Sequence, residues 1–430
     1  MNYNWRFVKL FHSLIYILAF SNAMAVNIDY NFEFKLARHE NINLILNPVE
    51  EEWVETLGAT MNIVENSSSF LTNVNANVTA INYRNNQQQD AIFNNLNLNS
   101  TWIISPRHFE WVLLDVYTQT ILDPLQSNTQ SNRQNTNIFT TGPKYYWRLN
   151  SRNNINFSAR LQNTSYDSTN DDSNRVSTEL NWLYNINSSL VASINAENEV
   201  LSYLDDTQDG YNNTSLFARL EYKKARNTYI AETGLTNINY DSRSEFLEER
   251  YLLSFQNQRT TNSDVVISYS HNISDAATEI SSAAQNITTN NTLLTTVSGT
   301  DVFTEDNFTF QYNRTFNSSA LNVVAENINR NYITQNTLDT KIQRLSILPT
   351  YNFNRTSSIE LEVTRTKTTY TNFAPAREDT DNLYRATYNN SIGRNINGAL
   401  SFEFVERIST NALLSYEDKR VIATLNYIIR

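Results

Sequence analysis

Strict alternation of apolar and polar residues, repeated from residue 26 onwards, is the feature that most limits what this chain can fold into. In the stretch PKYYWRLNSRNNINFSARLQ (143–162), Tyr145 and Trp147 alternate with polar residues before the turn SRNN, and Ile155 and Phe157 do so after it. Successive side chains of a strand point to opposite faces, so the stretch predicts a hairpin with one apolar and one polar face. Roughly twenty segments of this kind follow one another, and no comparable helical stretch interrupts them.

The connections between these segments alternate in length along the whole chain. The short ones are rich in Asn and Ser, which favour turns, and occupy 65–69, 105–107, 150–153, 185–188, 224–227, 258–262, 317–318, 354–357 and 393–397. The long ones occupy 37–52, 84–94, 121–136, 165–174, 202–212, 241–249, 274–306, 329–339, 371–380 and 406–419. Every long connection is therefore expected on the same rim of the sheet.

This alternation of lengths distinguishes between architectures. A soluble β-sandwich has no packing reason to alternate its loop lengths, and a β-helix needs a fixed repeat that the sequence lacks. A barrel that spans a membrane with its strands predicts the pattern directly, and lipid then covers the apolar face. We predict an all-β fold: an antiparallel transmembrane β-barrel of about 20 strands (range about 16–22), mostly about 9–13 residues long, with short periplasmic turns and long extracellular loops.

The first 25 residues have the three parts of a secretory signal peptide. Arg6 and Lys9 give a positive start, residues 10–20 are largely apolar, and AMA (23–25) is an A-x-A cleavage site. The apolar core is about half as long as the ~20 residues that a membrane helix needs, which argues against an uncleaved anchor. We predict cleavage after the AMA site, a single barrel domain at 26–430, and localisation in the cell outer membrane.

Charge and composition exclude several partners. Removal of the signal peptide, which holds two basic and no acidic residues, leaves 31 basic against 44 acidic residues, a net charge of −13. Nucleic-acid binding needs a basic surface, so no nucleic-acid partner is expected. The chain has no Cys, which is consistent with export without disulfides. The expected partners are outer-membrane lipid and lipopolysaccharide, together with the barrel-assembly machinery, and no cofactor is expected.

Neither catalysis nor metal binding is predicted. His271 follows Tyr269 on an apolar face with serines nearby, but a Ser–His hydrolase needs a third orienting group and no motif supplies one. The stretch DDTQDG (205–210) is similar to part of a calcium loop. Thr207, however, occupies a ligand position and Leu216 stands where the bidentate Glu belongs, so a solvated turn is the preferred interpretation.

The polar faces predict a water-filled lumen. In this register the lumen wall carries ten charged residues: Arg160, Arg175, Glu179, Arg219, Glu221, Glu232, Glu326, Glu360, Glu362 and Glu403. A wall with more Glu than Arg would favour cations, because fixed charge concentrates counter-ions. The alternative is that these charges pair with one another across strands.

The longest connection, 274–306, is the candidate obstruction of this lumen. Its segment TLLTTV (292–297) could form an extra hairpin there. Barrels of about 16–18 strands leave an aqueous channel and those near 22 are usually plugged, but the strands leave no room for a separate plug domain. An ordinary external loop is the preferred interpretation of 274–306.

Three stretches resemble a known family: HENINLILNPVEEEWVETLGATMNI (39–63), WVLLDVYTQTILDPLQSN (111–128) and NTNIFTTGPKYYWRL (135–149). They are similar to a family of outer-membrane β-barrel porins, some of which accompany the PEP-CTERM/exosortase system and exopolysaccharide loci of Gram-negative bacteria. The likeness is strongest over 39–205. It implies an outer-membrane barrel with exopolysaccharide export components as partners, and it carries over no functional residue.

The leading functional hypothesis is a porin-like, passive or semi-selective channel for polar solutes, linked to exopolysaccharide or PEP-CTERM export. The alternative is a structural or adhesion barrel whose long loops bind surface partners while the lumen is closed. An enzyme is the weakest hypothesis, and we predict that the protein is not one.

Overall fold

The computed structural model describes residues 26–48, 50–205, 207–260, 262–280 and 301–429. The predicted signal peptide and TLLTTV (292–297) lie outside these residues. The described residues form twenty strands, each antiparallel to the next. They are β1 Val26–His39, β2 Glu52–Asn66, β3 Phe70–Tyr83, β4 Ala91–Ser105, β5 Phe109–Ile121, β6 Arg133–Arg148, β7 Asn153–Tyr166, β8 Ser173–Asn185, β9 Leu190–Tyr203, β10 Tyr211–Lys224, β11 Asn227–Tyr240, β12 Phe246–Thr260, β13 Ser263–Asp275, β14 Val302–Thr315, β15 Ser319–Tyr332, β16 Thr340–Asn352, β17 Ser357–Tyr370, β18 Arg377–Ser391, β19 Ile396–Ser409 and β20 Tyr416–Ile429.

The sheet closes on itself, because β20 pairs with β1 as well as with β19. The seam runs from the pair Tyr30–Ile429 to the pair His39–Arg420. A closed sheet has no free edge, so every strand finds backbone partners on both sides. The predicted fold class, an antiparallel barrel of about twenty strands, is confirmed.

The alternation predicted from the sequence determines the two faces of the wall. Phe32 and Phe34 of β1 are exposed, and across the seam they pair with Tyr427 and Leu425, which are exposed as well. Such apolar side chains form the outer face, where acyl chains would cover them. The polar residues between them face the lumen.

The strands are longer than the sequence predicts. The shortest have 13 residues and the longest, β6, has 16, against the predicted 9–13. Alternation marks only the part of a strand that faces lipid, whereas pairing continues into polar residues beyond it. The long connections shrink accordingly, for example from the predicted 165–174 to 167–172.

Short and long connections alternate as predicted, and asparagine side chains close several of the short turns. The Asn150 side-chain oxygen accepts from the backbone N–H groups of Arg152 and Asn153, each at 2.9 Å. Asn187 and Asn354 accept in the same way from the residues two and three positions later in their own turns. An Asn that bonds its own backbone two residues on replaces the hydrogen bonds that a strand would supply.

At the opposite rim, which carries the long loops, carboxylate side chains accept hydrogen bonds from the backbone of neighbouring loops. Asp301, in the connection before β14, accepts from the backbone N–H groups of Thr334 and Gln335 at 2.8 and 2.7 Å, which joins two neighbouring loops. The same kind of bond recurs around the rim from Glu52, Asp167, Asp209, Asp339 and Asp418. Many acidic residues of this rim therefore satisfy backbone donors that would otherwise lack partners.

Helix is scarce in the part of the chain that the structure describes. Three single-turn 3-10 helices, Gln130–Asn132, Asn336–Leu338 and Ala412–Leu414, lie in long loops, and residues 276–280 are helical. Among these residues, no helix is long and apolar enough to cross a membrane.

Candidate functional site

The ten charged residues predicted to line the lumen all lie on the polar faces of their strands. Arg160 and Arg175, for example, alternate with Leu161 and Val176, which are exposed on the outer face. The register places residues of the list opposite one another, as with the pair Arg219–Glu232 between β10 and β11.

Most of these charges pair with one another or with other lumen residues. Glu232 lies between two arginines, 2.6 Å from Arg219 and 3.9 Å from Arg250. Glu403 likewise lies 2.7 Å from Arg385 and 3.4 Å from Arg420. Each arginine also meets a second acid: Glu221, Glu197, Glu362 and Asp418. The wall charges thus form chains of alternating sign, as the pairing alternative proposed.

Three residues of the predicted set have other surroundings. The Arg160 guanidinium donates to the carbonyl oxygen of Pro143 at 2.6 Å. Glu179 accepts from Ser158 at 3.1 Å and from Asn181 at 2.7 Å. Glu360 makes no ion pair with any residue that the structure describes, whereas Glu326 lies 3.6 Å from Arg344.

The lumen also contains a segment that the ten residues do not include. We call residues 275–280 the strap. It leaves the end of β13 and turns inward, and its Ala277 and Ile280 form one buried apolar cluster with Val116 of β5 and Ile138 of β6. Because β13 neighbours only β12 and β14, its chain can reach β5 and β6 only through the barrel interior. The strap therefore crosses the lumen.

A buried ion pair, which we call the anchor clamp, fixes the start of the strap. The Arg175 guanidinium lies 2.8 Å from Asp275 of the strap and 3.2 Å from Glu199 of the wall. Asp275 also accepts from the Tyr211 hydroxyl at 3.0 Å, and Arg175 donates to the Thr278 hydroxyl at 2.7 Å. A buried charge with this many partners is costly to disrupt, so the clamp determines where the strap begins.

A second ion pair, the lumen clamp, holds the strap near its last described residue to another part of the wall. One nitrogen of Arg330 in β15 lies 2.8 and 2.9 Å from the two carboxylate oxygens of Glu279. Another lies 2.8 Å from Glu305 of β14. The Arg330 guanidinium also stands over the Phe303 ring, 5.2 Å from its centroid.

The preferred interpretation of 274–306 as an ordinary external loop is wrong for its described beginning. Both arginine clamps and the apolar cluster draw residues 275–280 into the barrel, where they bury Ile280 completely. A signal was present in the sequence SDAATEI, since Asp275 caps the helical turn by accepting from the Thr278 backbone N–H at 3.1 Å. Aspartate before a short helix-forming stretch is a typical N-cap, and it predicts a helical turn without predicting its location.

A second long loop, 122–132, reaches across the mouth of the barrel. The carbonyl oxygen of Leu125 accepts from Arg377 of β18 at 2.6 Å, and that of Pro124 accepts from the Tyr370 hydroxyl at 3.4 Å. Arg377 is itself held by Asp379 at 2.6 Å. The strap and loop 122–132 thus both narrow the passage at the long-loop end of the barrel.

The residues weighed for catalysis and calcium binding have other partners. His271 has Asp306 at 2.8 Å and Glu248 at 3.0 Å from its two ring nitrogens. Asp205 accepts from Thr207 within its own turn. The described residues contain no cluster of three or more His, Asp or Glu arranged to hold a metal ion.

Comparisons with known proteins bear on the fold. No family model and no curated protein matches the chain. Among solved structures, the FrpB iron transporter from Neisseria meningitidis (F5-1 variant) matches with a TM-score of 0.52 at 9% identity, over 95% of this chain and 83% of that one. The G324V mutant of the ferric enterobactin receptor PfeA from Pseudomonas aeruginosa matches with a TM-score of 0.51 at 6% identity, over 95% and 81%.

At these identities the likeness concerns the fold alone. The structural neighbours are outer-membrane barrels, so this chain has the fold of an outer-membrane β-barrel, as the sequence predicted. The PEP-CTERM association and the signal peptide stay predictions.

Proposed function

We propose that the protein is a porin-like, semi-selective channel through which small polar solutes cross the outer membrane. The observation that carries this proposal is a closed barrel whose lumen is lined by polar and charged side chains and, among the described residues, crossed by the strap. Beside the strap, a cavity of about 220 Å³ lies against β9–β12 and is lined by Glu197, Asn213, Ser215, Thr236 and Arg250. Such a lining suits hydrated polar solutes rather than apolar ones.

Planar-bilayer conductance and liposome swelling test the proposal. We expect the refolded protein to conduct ions and to admit small sugars, with a size limit that the strap imposes. Protein that was boiled before reconstitution serves as the control. A correctly folded barrel that neither conducts nor swells liposomes would contradict the channel.

The resemblance of residues 39–63, 111–128 and 135–149 supports a finer proposal, that the channel serves export of exopolysaccharide or of PEP-CTERM proteins with their export components as partners. Deletion of the gene should then lower the amount of surface polysaccharide, and complementation should restore it. Unchanged polysaccharide in the deletion strain would remove the link and leave the channel proposal intact.

The structural or adhesion barrel remains the second candidate, and one observation favours it. Side-chain bonds such as those of Asp301 and Asp418 connect neighbouring loops into a fixed surface of the kind that binds partners. Absence of conductance together with specific binding to cells or surface polymers would support this candidate.

Export and membrane insertion complete the proposal. We infer that the signal peptide is removed after Ala25 and that the barrel-assembly machinery inserts the barrel among lipid and lipopolysaccharide. Amino-terminal sequencing of protein from outer membranes should begin at Val26. A sequence that begins at Met1 would contradict cleavage. We also infer that the protein is not an enzyme, and hydrolase activity lost on His271→Ala would contradict this.

A further inference from the structure

The strap brings to the lumen a carboxylate that the wall does not contain. We infer that Glu279, held in place by Arg330, is the residue that determines whether the channel prefers cations or anions. The inference rests on the proposed channel function. It assigns small cationic solutes as the preferred class when Glu279 is ionised.

The location of Glu279 supports this role. The strap crosses the lumen between the β13–β14 hairpin and the wall at Val116 and Ile138, so solutes must pass beside it. The Glu279 side chain remains 17% exposed there, whereas Asp275, at the start of the strap, is enclosed by Arg175, Tyr211 and Thr278. Glu279 is therefore the strap carboxylate that passing ions can approach.

The immediate surroundings of Glu279 differ from those of the wall glutamates Glu232 and Glu403 in the number of arginines beside each carboxylate. In the lumen clamp one arginine, Arg330, serves two carboxylates, Glu279 and Glu305, so ionised Glu279 leaves the clamp with one negative charge in excess. On the wall, Glu232 and Glu403 each lie between two arginines. Fields from closely spaced opposite charges cancel over short distances, whereas an unbalanced charge in a narrow, weakly polarisable passage attracts counter-ions.

Arg330 acts here as a positioning residue. It contacts both Glu279 oxygens, and its guanidinium is held by the Phe303 ring and by Glu305. The anchor clamp adds a second fixed point four residues earlier, at Asp275. Two fixed points on so short a segment leave the Glu279 carboxylate little freedom.

The preference should change with pH. Burial raises the pKa of the Glu279 carboxyl to about 8; Arg330 opposes this rise, and Glu305 and Asp275 add to it. Tyr332 also faces the group. Because a carboxyl is neutral below its pKa and charged above it, the channel should favour cations more strongly at pH 9 than at pH 6.

Reversal potentials in a potassium chloride gradient test the inference. For the wild type we expect the ratio of K⁺ to Cl⁻ permeability to rise at least about twofold from pH 6 to pH 9. Glu279→Gln should remove this rise, because the amide keeps the size and cannot ionise. Glu360→Gln is the matched control, since it removes a wall glutamate that has no ion pair among the described residues and should leave the rise in place.

Arg330 variants separate positioning from mere stability. Arg330→Lys keeps a cation beside Glu279 and should retain the pH-dependent rise, whereas Arg330→Gln should lose or displace it while the barrel still folds. A ratio that stays constant with pH in a conducting wild type, or that Glu360→Gln abolishes, would overturn the inference and leave the channel proposal standing.

Cysteine labelling, which does not depend on a current measurement, also distinguishes the proposed channel function from the proposed role of Glu279. Because the chain has no Cys, a single cysteine introduced by Glu326→Cys can be labelled with cationic or anionic thiosulfonate reagents from outside. We expect the labelling rate of the cationic reagent, relative to that of the anionic one, to rise with pH. This rise should be absent in the Glu279→Gln background. Neither labelling nor current in folded protein would overturn both the channel and the inference.

Discussion

Single side chains determine how the short turns close. In the turn after β16, the Asn354 side-chain oxygen accepts from the backbone N–H groups of Thr356 and Ser357 at 2.8 and 2.9 Å. The turn thereby reverses the chain within four residues, 353–356. The next strand enters in register because these donors are satisfied locally.

Asn354→Ala should destabilise the barrel modestly. It removes an acceptor from two backbone donors at an exposed turn, a loss of about 1 kcal/mol in the free energy of unfolding. Urea unfolding in detergent, followed by the mobility shift of the folded barrel, measures it. Asn317, in the β14–β15 turn, makes no side-chain hydrogen bond within the described residues, so Asn317→Ala is the control. Equal losses in both variants would contradict the turn argument.

Gly234 of β11 shows the opposite constraint, a place where no side chain fits. A Cβ at this position would lie 2.3 Å from the Leu216 carbonyl oxygen and 2.3 Å from the Phe217 Cβ. Both are parts of β10 that cannot move without disturbing the strand pairing.

We expect Gly234→Ala to cost about 1–3 kcal/mol, because overpacking displaces backbone and side chains. Gly393→Ala is the matched control, since nothing lies within 4 Å of its added Cβ. Thermal unfolding in the same detergent compares them. A Gly234→Ala barrel as stable as the control would show that β10 and β11 adjust more readily than their spacing indicates.

At the scale of the element, the strap is held against the barrel wall by specific noncovalent contacts. Three separate contacts hold it: the anchor clamp, the lumen clamp and the apolar cluster of Ala277 and Ile280 with Val116 and Ile138. When the strap leaves, Arg175 keeps Glu199 and Arg330 keeps Glu305. The barrel wall therefore does not depend on the strap for its own charge pairing.

Ile280→Asp should release the end of the strap from Val116 and Ile138 without unfolding the barrel. Ile280 is completely buried, and an unpaired carboxylate in an apolar site costs several kcal/mol, more than the small apolar cluster contributes. We expect single-channel conductance to rise while the thermal stability of the wall stays the same. Ile280→Val, which keeps the apolar contact, should conduct like the wild type. Lower conductance, or loss of the folded barrel, would contradict a releasable strap.

The elements differ in how far the sequence could predict them. Alternation predicts the apolar face of each strand because that face meets one uniform environment, lipid. It does not predict the strap, because the strap's partners are distant in sequence: Arg175 and Asp275 are 100 residues apart. The predicted strand ends were wrong for a related reason. Polar residues beyond the membrane pair through their backbones and leave no periodic signal in the sequence.

At the scale of the whole molecule, the number of strands and the arrangement of long and short connections followed from the sequence. The contacts among the side chains of the lumen could be predicted from the sequence only in part. The ten charged residues lie on the predicted polar faces, but the ion pairing of most of them depends on register across neighbouring strands. Glu232 illustrates this, because its position between Arg219 and Arg250 requires β10, β11 and β12 to be aligned.

The pairing of β1 with β20 has a consequence for how the wall can be rearranged. Since these strands are neighbours over the pairs from Tyr30–Ile429 to His39–Arg420, a short linker could join them, and new termini could be opened in any of the tight reversals. Such a circularly permuted chain should fold into the same barrel. The order in which strands are synthesised would then be separable from the order in which they stand around the axis.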